Sequence, residues 1–290
     1  MTAPSHAAET ARYVTGPTMR HVIVLAGTGA IGLIAVFGVD LLNLFYISRL
    51  GQRAIAAAIG FAGAISSLQV SFSIGMTIGV GALVSRQIGA GHLDVARRLA
   101  TASLTVMAAT LAVLGIVTVT TLSWSLSLLG AEGETRELAA GYLRITAFSL
   151  PLLGIGMGCS ALLRSLGDPR RAMDVTLIGA MVTASLDPLL ILVLHLGLDG
   201  AAISTMVSRL SLAVFGLYWV ARRHGMLTPL VTRMLVADAR QLLSIAGPAI
   251  LTNLATLPAQ STSPARSRGL VPRRWRDRQR STGSHRWRLA

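Results

Sequence analysis

Three ionisable side chains interrupt stretches otherwise suited to hydrocarbon. Asp40 directly follows Ile23–Val39, Asp187 lies within Val175–Leu198, and Arg209 sits in the apolar run after Gly200. A carboxylate at the centre of a bilayer costs roughly 2.5–3.5 kcal/mol on insertion scales. A chain keeps such a group when it lines a cavity, binds a cation or carries a proton, which is the chemistry of a transporter. Counted from the turn near Gly197, Asp187 is ten residues before it and Arg209 twelve after, so both lie roughly 15–18 Å from that turn at ~1.5 Å rise per residue. Asp40 lies roughly 12 Å from the outer end of its helix by the same count. The three groups are therefore expected to converge on the outer half of one helical unit as a coupling-ion site. The alternatives are an internal Asp187–Arg209 pair that makes both burials tolerable, and an Asp40 hydrogen-bonded for packing. Pro151 and Pro188 fall inside apolar helices, where each removes a backbone donor and predicts a kink. A kink at Pro188, beside Asp187, would free carbonyls for a cation.

Other chemistry is sparse. Cys159 is the single cysteine, which rules out an internal disulfide and a thiolate metal cluster. The six histidines are scattered, and His195 is expected at a helix end. Neither a phosphate-binding loop followed by Lys nor a nucleophile–base constellation occurs, so the chain does not read as an enzyme, and no cofactor or metal is implied. Gly75–Gly79 and Gly154–Gly158 have GxxxG spacing, which favours close helix packing.

The elements that must position these residues are membrane helices. The chain is 52% hydrophobic and 13% charged, with a mean hydropathy of +0.63, against about 25% charge in a soluble domain. The uncharged runs Ala54–Ser85 and Leu99–Ala131 each exceed the ~20 residues that span a hydrocarbon core. The pattern predicts an all-α membrane protein with spans at 22–48, 54–84, 99–129, 138–163, 174–196 and 200–221, then an incomplete seventh helix at 242–257. The expected organisation is a cytoplasmic segment (1–20), a six-helix lobe (21–222), a cytoplasmic linker (223–241), the partial helix (242–257) and an Arg-rich disordered tail (258–290). The polar segment 1–20 lacks the apolar core of a secretory signal, so removal is not expected. All 26 Lys+Arg side chains are arginine. With the N-terminus inside, twelve fall on inner segments and four on outer ones, which the positive-inside rule reads as a multi-pass protein of the cytoplasmic (inner) membrane. The net charge of +14 thus reflects topology and the tail. No basic groove with interleaved aromatics points to nucleic acid; the expected partners are membrane lipids.

The loops between spans are more specific. They read Ser85-Arg86-Gln87-Ile88-Gly89-Ala90-Gly91-His92 with Ala96-Arg97-Arg98, then Leu163-Arg164-Ser165-Leu166-Gly167-Asp168-Pro169-Arg170. Further on come Leu186-Asp187-Pro188-Leu189 and Gly197-Leu198-Asp199-Gly200-Ala201-Ala202-Ile203-Ser204-Thr205. In this order, on these membrane sides, the motifs resemble the multidrug and toxic compound extrusion (MATE) family over about 20–257. The resemblance implies two six-helix lobes, a cavity between them, and export of a small organic, cationic substrate against entering H+ or Na+. The first lobe and the entry of the seventh helix are represented here; the second lobe is not.

Two positions depart from the family pattern. Its first-helix acid precedes the closing Leu-Gly glycine by eight residues, which here is Asn43, with Asp40 one turn earlier on the same face. The asparagine four residues before the fifth-helix acid is here Thr183. The resemblance thus implies a site of Asp40, Asn43, Thr183, Asp187 and Arg209. Beyond Leu257 the tail holds nine arginines and two tryptophans, and G- and C-rich codons for it, read two nucleotides later, permit an apolar peptide similar to the family's seventh-helix end. The tail is therefore expected to be out of frame, and the truncated chain inactive by itself. The alternatives are a lipid-linked sugar flippase of related fold and a non-transporting membrane scaffold.

Overall fold

The computed structural model describes residues 18–49 and 53–266. Eight helices follow in order: α1 (Thr18–Arg49), α2 (Arg53–Gly89), α3 (Leu93–Leu128), α4 (Gly133–Phe148), α5 (Leu150–Ser165), α6 (Pro169–Pro188), α7 (Gly197–Tyr218) and α8 (Thr232–Arg266). Helices α6 and α7 end in π-helical turns, Leu189–Val193 and Trp219–Arg223. No strand occurs among the described residues. Among the described residues, six helices are long and apolar enough to cross a membrane, and α4 with α5, bent by 50° at their junction, has the length and composition of a broken span or a re-entrant loop. Large apolar side chains such as Phe37, Trp124, Phe148 and Leu251 remain 64–75% exposed, as lipid-facing residues must.

The loop motifs act as helix stops. At the end of α2, Gly91 takes φ +78°, its N–H donates to Ile88 O at 3.0 Å, and His92 N donates to Gln87 O at 3.0 Å. Gly167 repeats this after α5, with φ +77°, Gly167 N to Arg164 O at 3.1 Å and Asp168 N to Leu163 O at 2.9 Å. Both are Schellman caps, whose left-handed residue favours glycine. Asp168 then caps α6 by accepting from Arg171 N at 3.3 Å, with Pro169 in the first turn. One Gly-Asp-Pro-Arg string thus ends one helix and starts the next.

Packing runs through α5, which lies between α3 and α7. A Cβ on Gly154 would stand 2.5 Å from Leu111 Cδ1, and one on Gly158 2.6 Å from Leu104 Cδ2. On the opposite face, a Cβ on Gly156 would stand 2.7 Å from Leu212 Cβ. The other GxxxG pair serves α8: a Cβ on Gly75 would be 2.5 Å from Ile250 Cγ1, and one on Gly79 2.8 Å from Ala246 Cβ. Both spacings bring helices of this one chain together.

The helices are longer than the hydropathy pattern predicts, and the fourth span is broken. The break falls at Ser149, and Pro151 occupies the first turn of α5. The largest difference is α8, which starts at Thr232 rather than 242, so the connection from α7 is short. The polar stretch 232–241 is helical because it has partners. Asp238, 5% exposed, accepts from Arg98 Nη2 at 3.2 Å, and Leu242 is fully buried. The helix also continues through 258–266, within the expected disordered tail; residues 267–290 lie outside the described ones.

Candidate functional site

Two apolar clusters fill the lobe. One gathers Met76, Leu83, Leu104, Met107, Leu162 and Val175 at the arginine-rich end; the other gathers Ala62, Ile65, Leu122, Leu126, Leu143 and Leu198 at the opposite end. The stretches of chain between them carry a buried polar belt that includes Gln69, Ser149, Asp187, Ser204 and Arg209. Gln69 Nε2 donates to Thr118 Oγ1 at 3.1 Å.

Asp187 belongs to this belt. It is 1% exposed, and neither carboxylate oxygen has a hydrogen-bond partner among the described residues. The buried Ser204 hydroxyl of α7 lies beside it, within reach of the carboxylate but without the geometry of a formed hydrogen bond. The backbone here is irregular. Pro188 has no N–H to give to the Ala184 carbonyl, Leu189 N bonds back to Leu186 O, and the chain then widens into the π-turn. Helix α7 seats closely on that turn, since a Cβ on Gly200 would stand 3.0 Å from Leu190 O. π-turns inside helices are frequent at functional sites.

The other expected site residues are placed unequally. Asn43 on α1 has a buried Oδ1 without a partner among the described residues. Asp40 lies on α1, but its side chain is outside the described residues. Thr183 donates to Gly179 O at 3.1 Å within its own helix. Arg209 is 9% exposed and donates through Nη1 to Thr146 O and to Ser149 Oγ, both at 2.8 Å. The Asp187–Arg209 pair is therefore not formed; the guanidinium finds one carbonyl and one hydroxyl at the α4–α5 break instead. His195 sits in the α6–α7 turn with φ +51°. Ser204, Ser149 and Gln69 were not singled out from the sequence. Gln69 carried a legible signal, as the lone amide of the uncharged run Ala54–Ser85; a serine in an apolar helix carries none.

Apart from Arg97 Nε and Arg98 Nε in the first turns of α3, the buried side-chain atoms left without partners among the described residues are oxygens: Asn43 Oδ1, Gln69 Oε1, both of Asp187 and Ser204 Oγ. Such a set accepts hydrogen bonds or ligates a hard cation; it offers an anion little.

Residues 30–189, more than half the chain and the stretch holding Asp40, Asn43, Thr183 and Asp187, match the family model MatE. This chain belongs to the MatE family. MatE proteins are multi-pass membrane transporters and not enzymes. The MatE chain is 32% identical over 251 residues to a FAD transporter of Shewanella oneidensis, covering 83% of this chain and 54% of that protein. It is 26% identical over 183 residues to the multidrug export protein MepA of Staphylococcus aureus, covering 63% and 40%. Its fold matches a MOP superfamily transporter from Pyrococcus furiosus with a TM-score of 0.79 at 23% identity, over 87% of this chain and 56% of that one. The chain thus spans about half the length of the relatives it matches.

Proposed function

We propose that this lobe is one half of a cation-coupled antiporter that exports small organic molecules, with Asp187 holding the coupling H+ or Na+. The observation that carries this reading is the buried Asp187 carboxylate, unpartnered beside the unpartnered Ser204 hydroxyl. An isolated charge in low dielectric is too costly to keep empty. A proton on the carboxylate, or a cation held between carboxylate and hydroxyl, removes that cost. Entry of the ion then changes the charge at the junction of α6 and α7, where a π-turn already departs from regular helix. Differential binding of the ion to two arrangements of this junction would drive alternation. Asp40 and Asn43 on α1 would face the same ion from across the lobe, and Thr183 would keep a lone pair toward it. The arginine-rich end, where α2 meets α3, α5 meets α6 and α7 meets α8, is the cytoplasmic one by the positive-inside rule, which puts the N-terminus inside.

The exported molecule in this reading is an organic cation, as for a multidrug exporter. A flavin nucleotide is the second reading, favoured by the FAD transporter relative and by a buried Arg209 that no carboxylate neutralises among the described residues.

The test is efflux from cells making a two-lobed transporter whose first lobe is residues 1–257. Ethidium or FAD export that depends on an H+ or Na+ gradient, and disappears with Asp187→Asn, is expected. Gradient-independent export, or none of either compound, would favour the flippase or scaffold reading. One lobe presents one wall of a central cavity, so the 290-residue chain itself is expected to export neither compound.

A further inference from the structure

At the arginine-rich end, a cleft of about 290 Å³ opens between α6 and the end of α7, lined by Arg171, Tyr218, Trp219, Arg222 and Arg223. That is the liquid volume of about ten waters. Arg222 and Arg223 are exposed and make no ion pair among the described residues. A helix C-terminus tolerates basic side chains through its dipole, which accounts for arginines at the end of α7. It does not account for a third guanidinium brought to the same cleft from α6, nor for two aromatic rings at its lip.

Both walls are fixed. Arg171 pairs with Asp168, and the same carboxylate oxygen lies 3.3 Å from His224 Nε2, just beyond the α7 π-turn. Asp168 is the acidic group in this knot among the described residues, and Arg171 and the His224 ring already occupy it. Within the π-turn, Val220 is fully buried and its carbonyl accepts from Met226 N at 3.2 Å. Tyr218 is 58% exposed, and Trp219 packs against Phe215 at a 6.3 Å centroid distance. Rings with a polar tip at the end of a membrane helix mark the headgroup level. Basic pockets between membrane helices at that level suit lipid phosphates.

We propose that the cleft formed by Arg171, Tyr218, Trp219, Arg222 and Arg223 binds the phosphodiester headgroup of an anionic phospholipid. Arg222 and Arg223 bind the phosphate, Arg171, held by Asp168, forms the opposite wall, and Trp219 packs on the glycerol. The proposal rests on the membrane-spanning reading and on no part of the antiport reading.

The test uses the 290-residue chain in vesicles, with Trp124, Trp275 and Trp287 changed to Phe so that Trp219 is the sole emitter. Brominated phosphatidylglycerol diluted in phosphatidylcholine is expected to quench Trp219 at about thirtyfold lower mole fraction than brominated phosphatidylcholine, for two arginines on one phosphate. Arg222→Gln with Arg223→Gln abolishes that preference, whereas Arg233→Gln with Arg240→Gln, at the same end but outside the cleft, retains it. About 0.5 M NaCl, with a Debye length of roughly 4 Å, weakens it in the unsubstituted arginine background, a readout independent of whether the double variant folds. Equal quenching by the two lipids, retention in the Arg222/Arg223 variant, or equal loss in the Arg233/Arg240 variant would overturn the site. If inorganic phosphate removes the preference, the ligand is a free phosphate and the lipid assignment fails. Failure of antiport in the two-lobed protein leaves this quenching unchanged.

Discussion

The Arg209 guanidinium donates to the Ser149 hydroxyl at 2.8 Å across sixty residues of sequence, at the point where α4 gives way to α5. The same nitrogen reaches Thr146 O at 2.8 Å. A positive charge at the C-terminal end of α4 meets the negative end of its dipole, so the bend and the buried arginine support one another. This use of Arg209 leaves Asp187 without an ion pair among the described residues, as the proposed ion site requires.

Arg209 is accordingly expected to be structural. Arg209→Met should lower the free energy of unfolding by about 2 kcal/mol, the scale of a lost charged hydrogen bond, in a detergent unfolding titration. Arg209→Gln should recover part of it by donating to Ser149. Gradient-driven efflux by the two-lobed protein should keep its ion dependence in both variants. A changed ion dependence with unchanged stability would return Arg209 to the coupling site.

Asp187 is expected to behave in the opposite way. Asp187→Asn should not reduce stability, since it replaces an unpartnered buried carboxylate with a neutral amide. It should still lower coupled efflux by at least about tenfold, or about 1.4 kcal/mol. Ser204→Ala should cost about threefold through the lost ligand. Efflux unaltered by either change, with stability reduced, would make both residues structural.

The α2–α8 seam is expected to be intolerant of bulk. Gly75→Leu forces side-chain atoms into Ile250 on the facing helix, at about 1–3 kcal/mol for overpacking. Proteolysis within 232–250 should accelerate in that variant. Gly63→Leu, where a new Cβ meets nothing within 4 Å, should leave it unchanged.

The Arg98–Asp238 pair should show strong non-additivity. Arg98→Ala leaves the Asp238 carboxylate, 5% exposed, without its cation, at about 2–3 kcal/mol after allowance for the partial exposure of Arg98. The double change Arg98→Met with Asp238→Leu should recover most of that loss in a double-mutant cycle.

The membrane class, the all-helical fold, the family and the presence of Asp187 inside a span were legible in the sequence, because each rests on local quantities. Those are the length of uncharged runs, a carboxylate inside one, and loop strings such as Gly167-Asp168-Pro169 that cap the helices they join. The partners of buried groups were not legible. Spacing along the chain gave Arg209 and Asp187 similar depths, but depth leaves open which way each side chain turns around its helix. That is set by packing of α7 against α4 and α5, which brings Arg209 to Ser149 and leaves Ser204 beside Asp187. The start of α8 eluded the pattern for the same reason. Its first turns are polar, and a helix of that composition persists when a distant partner, here Arg98, neutralises the carboxylate it buries.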